Sequence, residues 1–150
     1  MIQKLSSRNF RRFGHIIENP KKHLHEKTKN LFRIVCRERE PVGWRIAYLI
    51  VRDTEIIRLE QHPMTFESFE PVKGKTLLYL SREKDPQGIS CFFLDKPVIL
   101  HKGVWHGVVT LGKESEIKIT ENAFVRSVYW NLGFPLNSNH KKKTGRPAKK

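Results

Sequence analysis

From Leu31 onward the chain is a succession of short apolar runs: 31–38 (LFRIVCRE), 44–52 (WRIAYLIVR), 54–62 (TEIIRLEQH), 75–83 (KTLLYLSRE), 89–95 (ISCFFLD), 97–101 (PVILH), 104–111 (VWHGVVTL), 115–120 (SEIKIT) and 125–132 (VRSVYWNL). Each is rich in β-branched and aromatic residues, which fit a pleated, half-buried surface. Turn signals separate them, among them Pro41-Val42-Gly43, Val72-Lys73-Gly74, Asp85-Pro86-Gln87-Gly88, Lys96-Pro97 and Leu111-Gly112. No helical period of useful length lies between them. Many short strands at close spacing bury their apolar faces by stacking two sheets or by closing a barrel, so an all-β sandwich or barrel is expected.

Ahead of this region, Ser6–Phe13 reads as a short N-terminal helix capped by Ser6 or Ser7 and ended by Gly14. His15–Glu18 reads as a first strand, and residues 19–30 as a polar loop. His23 and His25 in that loop have ligand-like spacing but no partners, and read as solvated. After Pro135 the apolar pattern stops. Residues 1–135 are therefore expected to form one domain and 136–150 a disordered basic tail.

The net charge of +14 is unevenly spread. Residues 1–30 carry eight Lys/Arg against two acids, residues 140–150 six against none, and the stretch between them fifteen against thirteen. A polyanion partner is thus suggested by the ends and not by the body. The tail 141–150 (KKKTGRPAKK) resembles an AT-hook in its Gly-Arg-Pro core flanked by lysines, and implies weak, salt-sensitive DNA contact. Cys36 and Cys91 are too few for a disulfide scaffold and lack metal-site spacing. The first residues lack the apolar core of a signal peptide, and no run is long enough to span a membrane, so a cytoplasmic location is expected.

One constellation carries chemistry. In Arg58-Leu59-Glu60-Gln61-His62, strand alternation puts Arg58, Glu60 and His62 on one face. Glu67 and Gly74 follow, and His101-Lys102-Gly103-Val104-Trp105-His106 comes later. This resembles the two cupin motifs, H-x-H-x(3,4)-E-x(6)-G and P-x-G-x(2)-H-x(3)-N, with Glu60 at the first histidine position and His101 at the proline. The chain also resembles the ureidoglycolate lyase family. The residues that carry the likeness are Leu5, Phe10, Phe13, Gly14 and Ile17; Glu60-Gln61-His62-Pro63; Phe69-Glu70-Pro71-Val72-Lys73-Gly74; and Gly103-Val104-Trp105-His106 after His101-Lys102. Two positions depart from that family: Glu67 stands where Gln is usual, and Gly107 where a second histidine follows.

The resemblance implies a double-stranded β-helix, or jelly-roll barrel, and a homodimer. It implies one divalent transition metal, whether Zn, Ni, Mn or Fe, with Glu60, His62, Glu67 and His106 as ligands. It also implies cleavage of a small carboxylate-bearing substrate, ureidoglycolate, to glyoxylate and urea. That reaction needs a base for the hydroxyl proton, an acid for the departing nitrogen and a cation for the carboxylate. Glu60, His106 and Lys102 are the catalytic candidates, and Arg58, Lys102 and Trp105 the substrate-binding ones. The alternatives are a non-catalytic small-ligand module with a DNA-contacting tail, and another metal-dependent cupin enzyme such as an isomerase or oxygenase.

Overall fold

The computed structural model describes residues 1–19 and 30–138. The tail 141–150, with its AT-hook-like core, and His23 and His25 lie outside the described residues. The elements in chain order are β1 (Ile2–Lys4), α1 (Ser7–Phe10), β2 (Gly14–Ile16), β3 (Trp44–Val51), β4 (Glu55–Gln61), β5 (Glu67–Lys73), β6 (Thr76–Ser81), β7 (Ser90–Phe93), β8 (Val98–Leu100), β9 (Trp105–Thr110), β10 (Ser115–Asn122) and β11 (Val128–Asn137). They form a six-stranded sheet, β1-β7-β6-β9-β4-β11, and a five-stranded sheet, β2-β8-β5-β10-β3.

The eight strands β3–β10 pair as one long hairpin rolled on itself. β6 lies beside β7, β5 beside β8, β4 beside β9 and β3 beside β10, all antiparallel. This nested pairing, with alternate pairs assigned to alternate sheets, is the jelly roll. The expected fold class is therefore observed. Gly74 closes the β5–β6 turn with φ of +76°, where a Cβ would meet the Glu114 carbonyl oxygen at 2.7 Å. The glycine that ends the first motif thus has a local backbone reason.

Between the sheets, Phe69, Leu78, Leu80, Phe92, Val98, Leu100 and Ile117 form the core, and Phe10 and Phe13 close one end against Phe92. A second cluster, with Leu59, Leu77, Tyr79, Trp105, Val109 and Leu136, lies on the outer face of the six-stranded sheet. β6 is consequently buried on both faces, which explains its unbroken apolar run. Among the described residues no helix is long and apolar enough to cross a membrane.

Four local expectations are corrected. The helix ends at Phe10, where the Ser6–Asn9 capping box supports only one turn, and Gly14 opens β2 instead of stopping the helix. Residues 31–38 join no ladder among the described residues. They cross the barrel surface, tied down by Arg33 donating to the Glu18 carbonyl (2.9 Å) and by Glu38 pairing with Lys102 (2.6 Å). β5 was hidden by Pro71, which the sheet accepts beside a register irregularity at Glu116/Ile117. β11 runs through Asn137, past the boundary placed at Pro135, because Leu136 is fully buried opposite Ile56.

Candidate metal centre

Glu60 on β4 is the cross-strand partner of His106 on β9. Glu67, at the start of β5, is the partner of Glu121 on β10. Pairs from the two facing sheets therefore bring their side chains to one region inside the barrel. His62 joins them from the turn after β4, whose backbone is fixed by Gly103 N–H donating to the His62 carbonyl (2.9 Å).

The arrangement is tight and dry. Glu67 Oε2 lies 3.0 Å from His106 Nε2 and 3.2 Å from His62 Nε2, and the three side chains are 8% exposed or less. Glu60 Oε1 is 3.9 Å from His106 Nε2, and this side chain is 39% exposed. The imidazole rings stand 5.0 Å apart, and Phe69 packs against His106 from the other side. Glu60, His62 and His106 each place one ligand atom within 4.8 Å of the others, as do His62, Glu67 and Glu121.

The outer nitrogen of each ring is held from behind. His106 Nδ1 lies 3.0 Å from the Val104 carbonyl and, as a donor there, carries the proton. His62 Nδ1 faces the Arg126 carbonyl at 3.4 Å and Ser127 Oγ at 3.3 Å. With Nδ1–H directed outward, a neutral ring turns the Nε2 lone pair inward, the arrangement that orients histidine ligands. Glu67 Oε2 and His106 Nε2 are fully buried and 3.0 Å apart, and with the imidazole neutral both are acceptors. Two buried acceptors aimed at one point fit a divalent metal, whose tetrahedral ligand atoms sit roughly 3.3 Å apart. Imidazole and carboxylate together suit Zn, Ni, Mn and Fe alike.

Without a metal, protons take that role. Burial opposes charge on both histidines, but the Glu67 carboxylate outweighs it and raises both above the ordinary imidazole value. Burial likewise opposes charge on Glu67, and His106 and then His62 overcome it, holding its pKa down to about 2.

Arg58 shares a cleft of about 320 Å³ with Glu60, His106 and Tyr129, and its guanidinium lies 4.6 Å from the Tyr129 ring centre. It therefore borders the site as expected. Two expected residues do not. The Lys102 ammonium is turned to the Glu38 carboxylate (2.6 Å) and lies over Phe66, because the Glu38 oxygen is buried and requires a cation. Trp105 is on the opposite face of β9 from His106 and packs on Trp130, as alternation dictates. Gly107 shares that outward face. A Cβ there would meet Ile56 Cδ1 at 2.4 Å, so the missing second histidine removes no group from the barrel interior. Glu121 was not singled out from sequence. Its signal was the alternation Ser115, Ile117, Ile119, Glu121 along the buried face of β10, which ends on a carboxylate. It is held by Arg45 (2.8 Å) on β3.

No family model and no curated protein matches the chain. Among solved structures it is similar to oxalate decarboxylase from Bacillus subtilis, at 16% identity and a TM-score of 0.46, over 61% of this chain and 24% of that one. It is also similar to a cupin 2 domain-containing protein from Halorhodospira halophila (13%, TM-score 0.43, 65% of this chain and 60% of that). A dTDP sugar isomerase from Desulfovibrio desulfuricans gives 13% and 0.43 over 84% and 82%. The chain spans about a quarter of the oxalate decarboxylase chains it matches. Strand order, independent of these distant likenesses, carries the fold: a jelly-roll barrel enclosing a histidine–carboxylate cluster that can hold a metal ion.

Proposed function

We propose that the chain is a metal-dependent enzyme acting on a small carboxylate-bearing molecule. Cleavage of ureidoglycolate to glyoxylate and urea is the reaction the sequence resemblance favours. The observation that supports it most is the convergence of the buried Glu67 Oε2 with the Nε2 atoms of His62 and His106, at 3.2 and 3.0 Å. His62, Glu67 and His106 would hold the ion, with Glu60 at its open side. A bound divalent ion would polarise the substrate oxygens.

The remaining roles follow from exposure. Glu60 is the most exposed of the four and borders the cleft, so it takes the hydroxyl proton and delivers it to the departing nitrogen as the C–N bond breaks, a function worth on the order of 10²–10⁴-fold. Arg58 borders the same cleft, makes no ion pair with the described residues, and holds the substrate carboxylate. His106, whose Nδ1–H is engaged by Val104, serves as a ligand and not as a proton carrier. Metal analysis tests the centre and glyoxylate release tests the reaction. Close to one transition metal per chain is expected, and none after reconstitution would remove the metal reading.

The reading includes a homodimer. β3 is an edge strand, and Trp44, Ile46, Tyr48 and Ile50 along its outer face are exposed. Its eight residues contain no Pro or Lys to discourage pairing. A free edge is self-complementary across a two-fold axis, so a second copy of the chain is the occupant it fits. The alternative of a DNA-contacting module rests on tail residues outside the described structure. A salt-dependent mobility shift lost on deleting 140–150 would favour it.

A further inference from the structure

We propose that a cleft on the barrel surface, between the 31–39 segment and the corner formed by His15 and His101, binds a small phosphate-bearing anion at a site separate from the metal cluster. The cleft measures about 840 Å³, and its walls include His15, Arg37, Arg39, Phe66 and His101. That volume lies in the range of small-molecule sites, roughly 300–1,000 Å³.

Charge is the main argument. The one acid on the wall, Glu38, is already satisfied: it accepts from the Arg39 and Glu40 backbone N–H groups (2.8 and 3.1 Å) and pairs with Lys102 at 2.6 Å. Arg37 and Arg39 are exposed and make no ion pair with the described residues. The His15 and His101 rings meet edge to face at 5.0 Å. Arg33 is fixed nearby by the Glu18 carbonyl. Burial, then His101 and Arg33, lowers the His15 pKa, so the standing charge of the cleft is that of the arginines. Like charges gathered around a solvent-filled volume repel one another, and a bound anion relieves that repulsion.

A phosphate monoester fits better than a carboxylate. It carries nearly two charges and three acceptor oxygens near neutral pH. Two guanidinium groups two residues apart can engage different oxygens, each bidentately. The Phe66 ring offers an apolar wall for the organic part of such a ligand. This site does not depend on the proposed reaction.

The test is a titration of the full chain with inorganic pyrophosphate and, in parallel, inorganic phosphate at fixed ionic strength, following the histidine ring signals by NMR. Saturable shifts of His15 and His101 are expected, with His62 and His106 unmoved. The double variant R37A/R39A should weaken binding at least tenfold. Both arginines are exposed, and an unchanged thermal melt confirms that the variant folds. The proposal is overturned if no signal saturates, if the double variant binds equally well, or if sodium chloride alone produces the same shifts. A DNA duplex that moves these signals when pyrophosphate does not would assign the cleft to nucleic acid, and would equally overturn a small-anion site.

Discussion

Replacing Glu67 with Gln removes the one negative charge that lies between two buried histidines while keeping the side-chain volume. The Glu67 pKa falls from an ordinary 4.5 to about 2. At about 1.4 kcal/mol per unit, its ionised form therefore stabilises the metal-free fold by about 3 kcal/mol. This contribution is complete above the unfolded carboxylate value and is lost as pH falls through about 2. The raised histidines work in the opposite direction: their contribution is complete below 6.5 and is lost as pH rises through their folded values. Both contributions are complete between about 4.5 and 6.5. Urea denaturation with a chelator present should show Glu67→Gln costing about 3 kcal/mol at pH 5.5. Once pH has risen past the raised histidine values the imidazoles are neutral, and a buried carboxylate without a cation is itself a burden. The gap should then close or reverse. A gap that stays constant or grows as pH rises through the histidine titrations, followed by NMR, would refute the coupling of Glu67 to the histidines. Adding metal at a hundredfold excess over its Kd should stabilise the wild type by about 2.7 kcal/mol. The variant, lacking the anionic ligand, should gain much less.

Four further outcomes follow from the placements. His106→Ala should abolish metal binding, whereas Glu60→Gln should retain metal and lower kcat by on the order of 10²-fold or more; retained metal in His106→Ala would contradict the ligand assignment. Arg58→Ala should raise KM for a carboxylate substrate, while Lys102→Ala leaves KM unchanged because its ammonium serves Glu38; the reverse pattern in steady-state kinetics would exchange their roles. Gly107→His should not raise activity and should destabilise by about 1–3 kcal/mol through overpacking against Ile56 and Leu59, read by thermal melt. Ile46→Lys should convert a dimer to a monomer by light scattering without shifting the metal content, and an unchanged mass would remove β3 as the contact.

The sequence made the fold class legible because strand propensity, turn residues and alternation agreed over most of the chain. It was less informative where tertiary context decides. The 31–38 segment has the composition of a strand, but Arg33, Glu38 and their partners tie it across the surface, and it pairs with no strand among the described residues. β5 has the composition of a turn, yet Glu67, Ser68 and Phe69 complete a ladder with β8 before Pro71 interrupts it. Site residues divide the same way. Glu60, His62, Glu67 and His106 were readable because motif spacing fixes strand register, and register fixes the face. Lys102 was misplaced because it lies in the turn between β8 and β9, where alternation says nothing about direction.

Trp105 and Gly107 show how far alternation reaches when it is applied strictly. Both adjoin His106 on β9, and the neighbours of an inward residue on a strand face outward. Trp105 enters the outer cluster with Trp130, and Gly107 sits against the ends of the Ile56 and Leu59 side chains of β4, which an added side chain would have to displace. The outer face of β9 is thus governed by packing against β4, and its inner face carries His106 toward Glu67 and Val108 into the core. A change at 107 therefore bears on how β4 and β9 approach each other, and only through that approach on the position of Glu60 relative to His106. The other departure from the family pattern, Glu67, is the one that acts inside the barrel. It places a charge between two histidines whose outer nitrogens are already held, and a charged oxygen there is what a divalent ion requires. The metal reading consequently stands on Glu67, and a glycine at 107 does not weaken it.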